Sequence, residues 1–123
     1  MFNSTRNTYQ WYNGAAWVDV IALVMAAKVA NYQLVLADAN GVLVEMNMAG
    51  ANTLTIPNDA TVAFPIGTVI NLLEYGAGQT TIIATGPAVI RATPGVKLRA
   101  QYSTATLVKL AANEWLLTGD IVP

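Results

Sequence analysis

From Phe64 to Ala84 the chain carries two runs rich in Val, Ile, Leu and Thr, with Pro65-Ile66-Gly67 before the first and Gly76-Ala77-Gly78 between them. Short β-branched runs bounded by Gly and Pro read as strands, and the breaks read as turns. The same grammar fills most of the chain. Asn31–Asp38 and Val42–Met46 flank Asn40-Gly41, a pair that supplies the positive φ angles of a hairpin turn. Asn52–Ile56 alternates, with Leu54 and Ile56 inward and Thr53 and Thr55 outward. Val89–Arg91, Val96–Tyr102, Thr104–Leu110 and Glu114–Val122 continue the series. About nine or ten short strands with turns at this spacing predict a sandwich or barrel. The expected fold is all-β: a small antiparallel β-sandwich, jelly-roll-like, of about 8–10 strands. No fixed-period repeat is visible. Ile21–Ala30 mixes helix and strand formers and reads as a short helix or irregular linker.

The N-terminal part differs. Met1–Asn7 is polar and without period, an arm. Thr8–Val20 places Asn13-Gly14 between two aromatic segments, the strongest short hairpin signal. Tyr9 and Trp11 would share one face of its first strand. A lone hairpin is marginal, so Tyr9, Trp11, Tyr12 and Trp17 dock either on a partner or on their own domain. The division expected is residues 1–30 as arm, aromatic hairpin and docking segment, and residues 31–123 as the β-sandwich.

Composition bears on what the surface must do. Only 11% of residues are charged and 54% are apolar, where an ordinary soluble domain is roughly 25% charged. So little charge leaves much of the surface neutral or apolar, and contiguous apolar patches mark interfaces. An obligate oligomer is the expectation. Thr68–Tyr75 supports it: Val69, Asn71, Leu73 and Tyr75 fall on one side, Ile70, Leu72 and Glu74 on the other, so both sides call for cover. Val69, Leu73, Tyr75 and Ile82 are the expected subunit-interface residues.

Net charge is −1 with six scattered basic residues, too few cations for a phosphate-binding surface, so no nucleic-acid partner is expected. The absence of Cys removes disulfides and thiolate metal sites, and the absence of His removes the commonest general base and metal ligand. Trp17–Ala30 is interrupted by Asp19 and Lys28 and is too short to span a bilayer. No basic region opens the chain before it, so neither membrane insertion nor a cleaved leader is expected.

Candidate chemistry is thin. Asp38, Glu45, Glu74 and Asp120 are spread along the chain, and no spacing brings two of them together as a glycosidase pair. A Ser-Lys pair would need Ser103 or Ser4 beside Lys109 or Lys28. Gly76-Ala77-Gly78 lacks the third glycine of a dinucleotide fingerprint and the lysine of a P-loop. Asp38-Ala39-Asn40-Gly41 is a poor calcium loop without further acidic ligands. Trp11, Trp17, Trp115 and Tyr102 could make a sugar-stacking platform, although Trp115 between Glu114 and Leu116-Leu117 suits a core. The expectation is no enzyme, no metal and no cofactor.

The ordered motifs Tyr32-Gln33-Leu34-Val35-Leu36-Ala37-Asp38, Asn52-Thr53-Leu54-Thr55-Ile56-Pro57, Glu74-Tyr75-Gly76-Ala77-Gly78-Gln79-Thr80-Thr81-Ile82 and Asn113-Glu114-Trp115-Leu116-Leu117-Thr118-Gly119-Asp120 resemble a β-rich module of tailed-bacteriophage virion proteins. Such modules occur at tail-fibre ends and in head-decoration or head-fibre proteins. The resemblance covers residues 31–121. It implies a homotrimer without catalytic residues, the 31–123 segment being the trimerisation domain. It implies a structural protein of the virion, made in the host cytoplasm. The first expectation is a capsid decoration, cement or head-fibre protein, docked on the major capsid protein or another virion protein. The alternative is a tail-fibre tip that binds a host surface receptor or glycan.

Overall fold

The computed structural model describes residues 23–123 in full and, before them, the backbone of Phe2–Asn3, Thr8–Tyr12 and Trp17–Asp19. These three short strands, β1 (Phe2–Asn3), β2 (Thr8–Tyr12) and β3 (Trp17–Asp19), form an antiparallel sheet of their own in the order β1-β2-β3. Tyr12 pairs with Trp17 and Trp11 with Val18. The Asn13-Gly14 turn expected between them lies outside the described residues.

The all-β expectation holds, but the antiparallel jelly-roll sandwich does not. The body is a mixed-sheet β-solenoid of about three turns. Its first turn is β4 (Val24–Lys28) and β5 (Tyr32–Gln33), its second β6 (Val42–Met46) and β7 (Asn52–Ile56), its third β8 (Val69–Glu74) and β9 (Thr80–Ala84). Within each turn the two strands enter different sheets. β4, β6 and β8 stack in parallel on one side, and β5, β7 and β9 stack in parallel on the other.

Consecutive strands are therefore joined by arcs, not hairpins. Asn40-Gly41 does not close a hairpin: a 3-10 turn, Leu36–Ala39, leads from β5 into β6 in the opposite sheet. Gly76-Ala77-Gly78 likewise carries the chain from β8 across to β9. Ile21–Ala30 was expected as helix or linker, yet Val24–Lys28 is a strand, because its partner β6 offers a ladder that a local propensity cannot see. Alternation along Asn31–Asp38 would turn both Leu34 and Leu36 inward, yet only Leu34 is buried and Leu36 is exposed on the 3-10 turn.

No single period runs through the stack, since Val24 pairs with Val42 and Tyr32 with Leu54 across the first two turns, but the second and third turns share one offset. Leu43 pairs with Asn71 and Val44 with Leu72 in one sheet, Asn52 with Thr80 and Leu54 with Ile82 in the other, each partner lying 28 residues further on, as the Thr80–Asn52 hydrogen bond also does. Inward positions form columns between the sheets: Val44 over Leu72, Met46 over Glu74, Leu54 over Ile82. All six are buried, and burial alternates strictly along β6 and β7. Burial of such columns is the main favourable term holding a solenoid together, since each turn alone cannot bury its apolar face.

After β9 the chain turns back to close one end. In the first sheet β12 (Thr104–Ala111) runs antiparallel to β8, β13 (Glu114–Gly119) antiparallel to β12, and β10 (Val89–Ala92) lies parallel to β13 at the rim. In the second, β11 (Lys97–Leu98) is antiparallel to β9, and β14 (Ile121–Val122) to β11. Sheet orders are thus β10-β13-β12-β8-β6-β4 and β14-β11-β9-β7-β5. Trp115, wholly buried, meets Phe64 edge to face at 5.4 Å in this closed part of the core. The segment 57–68 between β7 and β8 is stapled down beside it. Lys109 Nζ donates to Asp59 Oδ1 and to the Phe64 carbonyl, both at 2.6 Å, and Asp59 and Asn113 exchange two backbone–side-chain bonds.

The other end carries no further rung among the described residues, where β4 pairs only with β6. Val24, stacked on buried Val42, remains 50% exposed, with no described rung over it.

Candidate interaction surface

Several of the groups that could carry chemistry are committed to structural bonds. Asp38 Oδ2 accepts from the Tyr32 hydroxyl at 2.7 Å and from the Val35 N–H at 2.9 Å. Burial, with Asp38 as hydrogen-bond acceptor, pushes the Tyr32 hydroxyl pKa up. Lys28 Nζ sits 4.1 Å from the centre of the same ring, a cation–π contact at the β4–β5 end. Asp120 takes both the Arg99 guanidinium, at 2.8 and 2.9 Å, and the Ser103 hydroxyl at 2.7 Å. The Arg99 hydrogen bonds hold its carboxyl below the usual range, with Ser103 adding to them. Ser103 and Lys109 thus point their polar atoms at different acids, Asp120 and Asp59, so no Ser-Lys dyad forms.

Glu74 is the one inward-facing carboxyl in the stack, 1% exposed. Its Oε1 accepts from the Thr80 N–H at 2.9 Å, while its Oε2 has no partner among the described residues. Burial pushes its pKa up, against the Thr80 N–H, which pulls it down. Next to it Asn52 donates to the Gly50 and Gly78 carbonyls and accepts from Thr80 Oγ1. These bonds satisfy the inside of two stacked arcs. Sequence reading placed neither this cluster nor the Lys109 staple, because both depend on residues brought together from different turns.

What faces outward is uneven. In the five-stranded sheet the outward positions are hydroxyl-rich: Thr53 beside Thr81 and Lys97, Gln33 beside Thr55 and Ile83. In the six-stranded sheet they are mixed, with more large apolar side chains than on the other face and with Glu45 among them. Register runs Met25–Leu43–Asn71–Thr106–Thr118 across one row, Val69–Val108–Leu116–Arg91 across a second, and Ala27–Glu45–Leu73–Thr104 across a third. Asn71 Oδ1 at the centre accepts from Thr106 Oγ1 at 2.9 Å. Of the charges on this face, Arg91 and Glu114 pair with each other at the rim, 3.1 Å apart.

The expected interface residues divide. Val69, Leu73 and Tyr75 lie on the outer side of β8 and just beyond its end, with Val69 and Tyr75 exposed and Leu73 half-buried. Ile82 lies in the core of its own chain at 1% exposure, so it offers no surface to a neighbour. Tyr9, Trp11 and Tyr12 stand in β2 and Trp17 in β3, at backbone positions only. The sugar-stacking set does not assemble as expected, since Trp115 is enclosed. Tyr102, 66% exposed, instead meets Tyr75 edge to face at 6.1 Å. Tyr102 holds φ at +70°, uncommon for an aromatic residue, with its N–H on the Glu74 carbonyl.

Fold and surface together define a short β-solenoid with one closed end, one end that carries no further rung among the described residues, and one outer wall richer in apolar side chains than the other. No protein-family model matches the chain, and no curated protein matches it.

Proposed function

We propose that this chain is a non-enzymatic structural protein of a tailed-phage particle, a homotrimer that decorates the capsid as a cement or head-fibre subunit. The observation that carries the reading is the set of exposed apolar side chains on the six-stranded sheet, Met25, Val69, Val89 and Leu110, on a chain of which only 11% is charged. The resemblance to virion modules supports a position on a particle. Stacked rungs with fully paired inner strands make a stiff body suited to a surface protein. The β1–β3 sheet, with Tyr9, Trp11, Tyr12 and Trp17, is the docking segment for the major capsid protein or another virion protein. Deleting residues 1–20 is expected to abolish binding to capsids while the oligomer stays folded. Unchanged capsid occupancy, read by electron microscopy of labelled particles, would reject this placement.

A tail-fibre tip that reads a host glycan is the second reading. Tyr75 and Tyr102 favour it, being exposed, adjacent and fixed by backbone hydrogen bonds, with Gln101 held against the Tyr75 carbonyl at 3.1 Å. Aromatic faces flanked by amides suit a sugar ring. A glycan array probed with the free protein separates the two readings.

A further inference from the structure

We propose that the outer face of the six-stranded sheet is the surface on which a second copy of this chain docks. The inference rests on the oligomeric reading above and specifies which of three surfaces makes the contact.

Size decides between them. Six strands about 4.8 Å apart and roughly 17–20 Å long give a footprint of about 500 Å². In a trimer each copy shares this face between its two neighbours, so three copies remove about 1,500 Å² in all before side-chain relief is counted, within the range of specific assemblies. The β4–β5 end of the solenoid is a single rung between two sheets about 10 Å apart. Its footprint of under about 200 Å² is too small to hold two copies together. The five-stranded face has comparable width, but Thr53, Thr55, Thr81 and Lys97 are well hydrated there.

Chemistry agrees with size. Met25, Leu43, Val69, Leu73, Val108 and Leu116 span five strands of the six-stranded face without an intervening ion pair. Interfaces of this kind are poor in charge at the centre and polar at the rim. Here the Arg91–Glu114 pair is at one rim, Glu45 stands beside Leu73 one strand in from the β4 edge, and the Asn71–Thr106 hydrogen bond is at the centre. Asn71 spends its carbonyl oxygen on Thr106, so its amide hydrogens remain for an acceptor on the copy. Two twisted sheets meeting through such faces pack about 10 Å apart with interdigitated side chains.

Sedimentation velocity over a concentration series tests this with two double variants of the full chain. Leu73→Lys with Val108→Lys charges the six-stranded face; Thr55→Lys with Thr81→Lys charges the opposite one. Wild type and the Thr variant are expected to associate alike, and the Leu73/Val108 variant to be a folded monomer by circular dichroism. Should the lysines prevent folding, Leu73→Thr with Val108→Thr keeps β-propensity, and its dissociation constant is expected to rise at least tenfold. Association unchanged in both face variants, or lost only in the Thr55/Thr81 variant, overturns the proposed surface and leaves the oligomeric reading standing. A wild type that is monomeric at every concentration overturns both.

Discussion

Glu74 occupies an inward position that Met46 fills one turn earlier, and it does so with an oxygen that has no partner among the described residues. The unfolded chain ionises this carboxyl near the ordinary Glu value of about 4.3. Burial delays ionisation in the folded chain to a higher pH. Between those two values the unfolded state binds fewer protons, so stability falls as pH rises. Glu74→Gln keeps an acceptor for the Thr80 N–H and cannot ionise. Urea unfolding at a series of pH values is expected to show a flatter decline for the variant than for wild type. Asp59 behaves in the opposite sense. The Lys109 hydrogen bond, with help from the Asn113 N–H, holds its pKa down. Its contribution is complete above the ordinary Asp range and is lost as pH falls through the depressed value. Asp59→Ala leaves Lys109, 3% exposed, without its counter-ion. A loss of about 3 kcal/mol or more is expected in the same unfolding assay at neutral pH.

At the scale of the elements, the arcs matter as much as the strands. A Cβ on Gly78 would run into the Gly50 carbonyl oxygen of the turn beneath. Gly78→Ala is therefore expected to cost about 1–3 kcal/mol by forcing the stacked arcs apart, while Gly50→Ala, which meets open space, should cost much less. Thermal unfolding of the two variants side by side checks this. β4 offers a second comparison. Val24 donates to the Gly41 carbonyl and Lys28 accepts from Asn47, so the even residues face β6 and the N–H groups of Met25 and Ala27 point off the edge. Ala26→Pro removes a ladder bond and is expected to cost about 1 kcal/mol more than Ala27→Pro. Much of this level was legible in the sequence. The alternation in Asn52–Ile56 gave the correct inward residues, Leu54 and Ile56. The 28-residue offset between the second and third turns was not legible. Its echoes, Ala49-Gly50 against Ala77-Gly78 and Thr53 against Thr81, are few, and apolar alternation looks the same in any half-buried strand.

For the molecule as a whole, the open question posed by the surface is association. If copies meet through the six-stranded face, melting temperature should rise with protein concentration, since a partner that binds only the folded state stabilises it by mass action. A differential scanning measurement over a hundredfold range of concentration is expected to show that rise in wild type and not in the Leu73→Lys, Val108→Lys variant. Surface residues were only partly foreseeable at this scale. Val69, Leu73 and Tyr75 follow from β8 having two apolar sides, whereas Ile82 was misplaced because its strand was assigned without knowing which side faced the core.

The order of residues alone determined that this chain forms short strands, which side chains alternate inward in the clearest of them, and that its surface is short of charge. Those properties are local or additive. Which strand lies beside which was decided only in three dimensions. A Gly-rich connection can fold as a hairpin or as an arc between two sheets, and the choice falls to the stacking of one turn on another, where Leu54 meets Ile82 and Val44 meets Leu72. That pairing joins residues far apart in the chain, so no window along the sequence contains it.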